Sequence, residues 1–198
     1  MGLDLGDKDG QTPLDEDEKD GLLIRTITTR GELDEFEQLG VEKANGWLLS
    51  RKLDANRILT EDFVRDLHKR MFGDGWKWAC AFRKINKNIG VDKLEISIEL
   101  RKVLEDCRFW IENKTFAEDE IAFRLSHRMV VVHPFANGNG RHSRLIADVL
   151  INKGFSKPYF TWGSRNLIKQ GEVRTHYINA LREADNQNYN PLIQFARS

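Results

Sequence analysis

The sequence predicts an all-α fold with one small β-hairpin, and three observations support this prediction. Apolar residues recur at intervals of three and four in most segments beyond residue 30, which is the spacing of one helix face. Residues typical of helix starts precede these segments, and glycines such as Gly73 and Gly154 follow them. Helical spacing fails over residues 76–91, where aromatic and basic residues are interleaved and a short hairpin fits better.

Two helices are predicted before the hairpin. The first opens with the run from Thr28 to Glu32, after a short strand or extended lead-in. The second begins at Thr60, a residue type that suits a helix N-cap, and ends at Gly73. His68 lies on this second helix, and we expect it to be a partly exposed surface residue. After the hairpin, periodic segments run over residues 92–112 and 115–132, up to Gly154, in two stretches past Pro158, and from Asn190 in a last short helix.

Length, charge and cysteine count exclude several classes of protein. At 198 residues the chain is long enough for one compact domain, which we place at residues 22–198 behind an acidic tail or strap at residues 1–21. Lys plus Arg and Asp plus Glu balance at 31 each, so no basic excess indicates nucleic acid or an anionic membrane. Two cysteines and no apolar run near the ~18–20 residues of a membrane span indicate a cytoplasmic chain. His127, His133 and His142 lack the i, i+4 spacing of a zinc helix, which argues against a metallohydrolase.

The chain is organised around residues 133–144, which we interpret as a helix end, an anion-binding turn and a new helix. The Gly-Asn-Gly turn at 138–140 can adopt positive φ at little cost, so its N–H groups could surround a phosphate at a helix N-terminus. Arg141 and Arg144 add positive charge on one face, and His133 can take up a proton near neutral pH. The alternative is an ordinary helix–helix turn with a capping or packing histidine.

This segment resembles the Fic family signature, His-x-Phe-x-(Asp/Glu)-Gly-Asn-Gly-Arg-x-x-Arg, through His133, Phe135, Gly138, Asn139, Gly140, Arg141 and Arg144. The resemblance implies a Fic/Fido-type helical domain that transfers a nucleoside monophosphate, usually AMP from ATP, onto a hydroxyl side chain of a target protein. It also implies that His133 deprotonates this hydroxyl and that the Gly-Asn-Gly turn holds the α- and β-phosphates. Arg141 would clamp the β- and γ-phosphates, Arg144 would also contact the nucleotide, and Phe135 would be a core anchor.

One position departs from the signature, because Asn137 stands where the family has the acid that binds magnesium between the phosphates. Magnesium often uses only one or two protein oxygens, so an amide oxygen could still bind it, but without negative charge. Three hypotheses follow, in this order of preference. The chain is a working transferase with a higher magnesium requirement, a variant such as a phosphotransferase or phosphodiesterase, or a silent nucleotide-binding or toxin–antitoxin module.

The start of the first helix is similar to the inhibitory motif of Fic proteins, (Ser/Thr)-x-x-x-Glu-(Gly/Asn). Thr28 and Glu32 match this motif, whereas Leu33 stands where glycine or asparagine is expected. The resemblance implies a Glu32–Arg144 pair that keeps the γ-phosphate out of its productive position. The alternative is a threonine N-cap followed by first-turn acids, which needs no inhibitory role.

Two further features follow from the resemblance. Residues 76–91 would be the flap, with Phe82 and Ile89 at the target-docking edge, where backbone hydrogen bonds present the target hydroxyl. A structural hairpin or a basic-aromatic nucleic-acid patch are the alternatives. Tyr177 would line the adenine pocket, or else be a core tyrosine. The arrangement looks close to the small Fic proteins named "mobile mystery protein B", which implies a small DNA-binding, antitoxin-like partner.

Overall fold

The computed structural model of the protein describes residues 14–162 and 170–198, and this part of the chain is helical. Its helices are α1 (Glu16–Lys19), α2 (Arg30–Leu49), α3 (Ala55–Ile58), α4 (Glu61–Phe72), α5 (Ile96–Glu112), α6 (Glu118–Val132), α7 (Asn139–Val149), a π-helical turn (Leu150–Gly154), α8 (Gln170–Asp185) and α9 (Asn190–Arg197). No strands form a sheet within the described ranges, where extended backbone pairs only at the bridges Leu22–Trp76 and Phe82–Phe135. The predicted all-α class is confirmed. Of the two helical stretches predicted past Pro158, the first, with Leu167 and Ile168, falls outside the described residues and the second is α8.

Helix α4 follows its sequence signals closely. The Thr60 hydroxyl accepts a hydrogen bond from the Phe63 N–H at 3.2 Å, and Gly73 follows the last turn. Helix α2 packs against α4 at very short range, since a Cβ placed on Gly40 would lie 2.1 Å from the Met71 carbonyl oxygen. Only glycine permits this approach, so the position of α2 on the domain is set by a backbone contact.

The predicted hairpin is not present, and residues 76–91 form an irregular loop instead. The Arg83 guanidinium donates to the carbonyl of Ile85 at 2.8 Å, to that of Val91, and to that of His133 at 2.7 Å. One side chain thus satisfies carbonyls that a neighbouring strand would otherwise pair with. The loop is held by an arginine and lies directly on the segment that contains His133.

The N-terminal segment lies on this loop. The Glu18 carboxylate forms an ion pair with Lys87, and the Glu18 carbonyl accepts from the Trp78 indole N–H at 3.0 Å. Residues 14–21 therefore lie over the domain as a strap, whereas residues 1–13 of the predicted tail fall outside the described residues. The domain boundary at residue 22 stays a prediction. No helix in the described part of the chain combines the length and apolarity needed to cross a bilayer.

Candidate active site

The segment 133–144 lines a cavity of about 340 Å³ together with side chains from α2, the 76–91 loop and α8. The lining residues include His133, Asn137, Gly138, Asn139, Gly140, Arg141, Arg144, Arg30, Asp34, Ile89, Val130, Tyr177, Ile178 and Leu181. The structure therefore brings to one concave site the predicted proton acceptor His133, the anion-binding turn, both arginines, and Tyr177, the tyrosine predicted to line the adenine pocket. Glu32, Thr28 and Phe82 do not line it.

His133 is held firmly at the end of α6. Its backbone adopts the left-handed conformation, with φ of 52°, and its N–H donates to the Met129 carbonyl at 3.1 Å. A Cβ on Gly90 would lie 2.7 Å from the His133 Cβ, so the loop presses against the histidine. Burial lowers the pKa of His133 to about 4, and the positive charges of Arg83 and Lys87 act in the same direction. The imidazole is therefore neutral at pH 7 and can accept a proton.

The turn after His133 ends at the N-terminus of α7. Gly138 is the N-cap with φ of 77°, whereas Asn139 and Gly140 are already helical, so one of the three turn residues uses positive φ. The first α-helical hydrogen bond runs from the His142 N–H to the Gly138 carbonyl at 2.9 Å. The N–H groups of Asn139, Gly140 and Arg141 therefore precede the helical ladder and form the positive end of a helix at the cavity wall.

The Asn139 side chain fixes the shape of this turn. Its Oδ1 accepts from the Phe135 N–H at 3.0 Å, and its Nδ2 donates to the Phe135 carbonyl at 2.8 Å. Phe135 itself is fully buried, in agreement with its expected role as a core anchor. The amide of Asn139 is thus occupied by the loop, and what this residue offers to an anion is its backbone N–H.

His68 also holds the turn, and the expectation that it is partly exposed was wrong because the residue is fully buried. Its Nδ1 accepts from the Cys80 N–H at 3.1 Å, so the ring proton lies on Nε2, which donates to the Asn137 carbonyl at 3.0 Å. The ring stacks on Phe135 with centroids 3.7 Å apart. Its spacing of four residues from Val64, on the apolar face of α4, is the sequence signal that could have found it.

The two arginines are held in different ways. Arg141 pairs with the buried carboxylate of Glu37 on α2, and its guanidinium lies 5.0 Å from the ring centre of Phe72. Arg144 lies over the ring of Tyr177 at 5.0 Å. Both line the cavity next to the N-terminus of α7, so this wall presents two guanidinium groups beside the positive end of a helix. Such a wall suits phosphate groups, because arginine donates to them bidentately.

The sequence of the segment that builds this site matches a known family. Residues 58–151 match the sequence profile of the Fic/DOC family. This part of the chain is a Fic domain. Two relatives named "Protein adenylyltransferase Fic" are similar to it: one from Nematostella vectensis is 23% identical over 167 residues, covering 82% of this chain and 37% of that protein. The other, from Aedes aegypti, is also 23% identical and covers 80% of this chain and 31% of that protein. The chain spans about a third of the length of these relatives.

Solved structures share the fold of this chain over most of its length. BepC from Bartonella tribocorum, with bound AMPPNP, has a TM-score of 0.64 at 16% identity and covers 92% of this chain and 97% of that one. The N-terminal Fic domain from Bartonella quintana, with bound ADP, has a TM-score of 0.62 at 17% identity, covering 87% and 86%. Fic-1 (aa134 - 508) from C. elegans has a TM-score of 0.62 at 20% identity, covering 81% and 47%.

The expected inhibitory contact of the Fic domain is not formed in this structure. The Glu32 carboxylate accepts from the N–H groups of Thr28 and Thr29, each at 2.9 Å, and these bonds lower its pKa. Thr29 and Glu32 together form the capping box of α2. The described residues Glu32 and Arg144 make no ion pair, since Glu32 points back at its own helix start and Arg144 lies over Tyr177.

Asn137 does not build a magnesium site by itself. Its side-chain oxygen accepts from the N–H of Gly138 at 2.6 Å, so it is turned toward the chain. In the described ranges, no group of three or more His, Cys, Asp or Glu side chains is arranged to hold a metal ion. One neutral and occupied amide oxygen does not fit the needs of a resident Mg²⁺.

The two predicted docking residues of the flap lie in different surroundings. Phe82 packs behind the segment 133–144, with its ring centre 6.0 Å from that of Phe135, and the Arg65 guanidinium lies 5.0 Å from the centre of the Phe82 ring. Ile89 is 45% exposed and lines the cavity. Among these two, Ile89 is therefore the residue in a position to meet a docked chain.

Proposed function

We propose that this chain is a protein nucleotidyltransferase that transfers AMP from ATP to a hydroxyl side chain of a target protein. The observation that carries this proposal is that one cavity is lined by the neutral His133, the N-terminus of α7, Arg141 and Arg144. The names of the adenylyltransferase relatives and the AMPPNP and ADP bound in similar folds support the same nucleotide chemistry.

In the proposed reaction, His133 accepts the proton of the target hydroxyl while the hydroxyl oxygen attacks the α-phosphorus of ATP. The new P–O bond forms in line with the bond to the β-phosphate, which breaks as pyrophosphate leaves with its electron pair. The N–H groups at the start of α7 and the guanidinium of Arg141 stabilise the charge on the phosphate oxygens. Positioning and charge stabilisation supply most of the rate, as is general for phosphoryl chemistry.

The walls of the cavity suggest how the two substrates are arranged. The phosphates would lie against residues 138–141 and Arg144, and the nucleobase against the wall formed by Tyr177, Ile178 and Leu181 on α8. The target segment would enter beside Ile89. A magnesium ion would be bound mainly by phosphate and water oxygens, with Asn137 supplying at most one ligand.

The test uses ATP labelled separately at the α- and γ-phosphates, with magnesium titrated upward and the product analysed by intact-protein mass. We expect label from the α-position only, and none in the His133→Ala variant, which should still bind ATP. The matched control is His176→Ala, which removes an exposed histidine of α8. Full transfer by His133→Ala would contradict the assignment of the base.

Auto-inhibition by Glu32 is a separate part of the proposal, and it rests on the resemblance of Thr28 and Glu32 to the inhibitory motif. In this structure the carboxylate caps α2, so inhibition would require it to leave the cap and reach Arg144. Glu32→Gly is then expected to raise transfer. Unchanged transfer in this variant would remove Glu32 from the regulation of the site.

A silent nucleotide-binding module is the second candidate, and the neutral, occupied side chain of Asn137 favours it. It would bind ATP and leave every protein unlabelled at any magnesium level. Such a module would act by binding an antitoxin-like partner, as the resemblance to the "mobile mystery protein B" type suggests. Label from the γ-position, or release of AMP from a labelled target, would instead indicate a phosphotransferase or a phosphodiesterase.

A further inference from the structure

A buried carboxylate from outside the family-matched segment reaches the active-site arginine. Glu37 lies on α2, upstream of residues 58–151, and is 2% exposed. One of its oxygens forms the ion pair with Nη2 of Arg141, and the other accepts from the indole N–H of Trp76 at 2.6 Å. Both oxygens are therefore used, which is the condition under which a carboxylate is stable in a protein interior.

We propose that Glu37 is a positioning residue which, together with Trp76, holds the guanidinium of Arg141 toward the triphosphate. The inference rests on the proposed function, because it assigns to Arg141 a role in binding the β- and γ-phosphates. An arginine that is already oriented loses less side-chain entropy when its ligand binds. Glu37 thus favours ATP binding without touching the nucleotide.

The geometry indicates that Glu37 orients Arg141 and does not block the phosphate site. Arg141 lines the cavity, whereas Glu37 does not, so the carboxylate takes no space that a phosphate would need. The pair uses one of the three guanidinium nitrogens, and the ring of Phe72 packs against the guanidinium at 5.0 Å. The remaining donor edge of Arg141 can therefore meet a phosphate while the ion pair persists.

Both supports of the carboxylate are rigid. Helix α2 is fixed one turn after Glu37 by the contact of Gly40 with the Met71 carbonyl. Trp76 is 1% exposed and stacks on Trp78 with ring centroids 4.8 Å apart. The carboxylate consequently cannot swing away to follow the guanidinium, and the direction of Arg141 is set by the fold.

Because Glu37 is buried, replacing Arg141 alone should destabilise the protein more than replacing both residues of the pair. Removal of Arg141 leaves the buried carboxylate of Glu37 without its cation, which is strongly destabilising. We therefore expect Arg141→Met to unfold at a lower temperature than the double variant Arg141→Met/Glu37→Gln. A loss of ATP binding in Arg141→Met would combine the loss of a ligand contact with a loss of stability, so Glu37 and Trp76 are the residues to substitute.

The test measures the Kd of ATP and of AMP by calorimetry for the wild type, Glu37→Gln and Trp76→Phe, which removes the indole N–H but keeps an aromatic ring. We expect the Kd of ATP to rise about tenfold in both variants, about 1.4 kcal/mol. The Kd of AMP, which lacks the β- and γ-phosphates, should not change. The control is Glu35→Gln, the same chemical change at an exposed position of the same helix, with no expected effect.

Each other outcome overturns the inference. Tighter ATP binding or faster transfer in Glu37→Gln would mean that the carboxylate restrains Arg141, and equal losses for ATP and AMP would indicate a purely structural role. Unchanged ATP binding in both variants, with a wild type that binds and transfers, would refute the positioning role and leave the proposed function intact. A wild type that binds no ATP would overturn the proposed function and this inference together.

Discussion

Gly138 and Gly140 flank Asn139 in the anion turn, yet an alanine side chain is expected to have opposite effects on stability at the two positions. At Gly138 the backbone has φ of 77°, and an added Cβ would lie 2.5 Å from two carbon atoms of the Phe72 ring. The left-handed conformation costs an L-residue about 1–2 kcal/mol, and overpacking of this kind costs about 1–3 kcal/mol. Gly138→Ala should therefore lower the free energy of unfolding by about 2–5 kcal/mol.

At Gly140 the backbone is helical, and an added Cβ would meet no atom within 4 Å. Alanine is favoured over glycine inside a helix by about 0.5–1 kcal/mol, so Gly140→Ala should be as stable as the wild type or more stable. The new methyl group would, however, stand in open space beside the cavity that Gly140 lines. It would keep a phosphate away from the N–H groups of α7.

The assay combines thermal unfolding with ATP binding by calorimetry. For a chain of this size, Gly138→Ala should lower Tm by roughly 4–20 °C, whereas Gly140→Ala should raise it by about 1–4 °C. ATP binding should weaken in both variants, in Gly140→Ala without any loss of fold. Equal destabilisation by the two variants, or wild-type stability of Gly138→Ala, would refute this account of the turn.

Three further predictions concern the histidines and Asn137. His68→Phe keeps an aromatic ring but leaves the Cys80 N–H and the Asn137 carbonyl unpaired. This should lower the free energy of unfolding, measured in urea, by about 2–5 kcal/mol. A decrease below about 1 kcal/mol would mean that His68 does not hold the turn. Burial lowers the pKa of His133 and of His142 to about 4, below the ~6.5 of an unfolded chain, so the unfolded state binds more protons between these values. The free energy of unfolding should be highest above about pH 6.5 and should fall by about 3 kcal/mol per histidine as the pH decreases to about 4. A free energy of urea unfolding that does not change over this pH range would contradict the neutral, buried state of both rings. Asn137→Asp should lower the magnesium concentration that gives half-maximal transfer, because it adds a negative oxygen ligand, and an unchanged magnesium curve would show that this side chain does not meet the ion.

Local signals in the sequence were sufficient for the long helices α2 and α4 to α7 and for the resemblance of the motif, but not for the short helices α1 and α3. The Thr60 cap, the apolar face of α4 and Gly73 all lie within one short segment, and the structure follows them. The same holds for residues 133–144, in which a histidine, a turn and two arginines are close along the chain and line one cavity. Helical period and capping depend on neighbours within about four residues, and this is why a sequence displays them directly.

Contacts between distant segments were decided by the tertiary structure alone. Arg83 donates to backbone carbonyls that a hairpin would have paired, and His68 is buried beneath the segment 133–144. Glu37 forms an ion pair with Arg141, which is 104 positions away in the sequence. Glu32, which the resemblance pairs with Arg144, instead caps its own helix by accepting from the N–H groups of Thr28 and Thr29. A polar side chain bonds to whichever group the packed helices bring within about 3 Å, and no periodicity along the sequence encodes that distance.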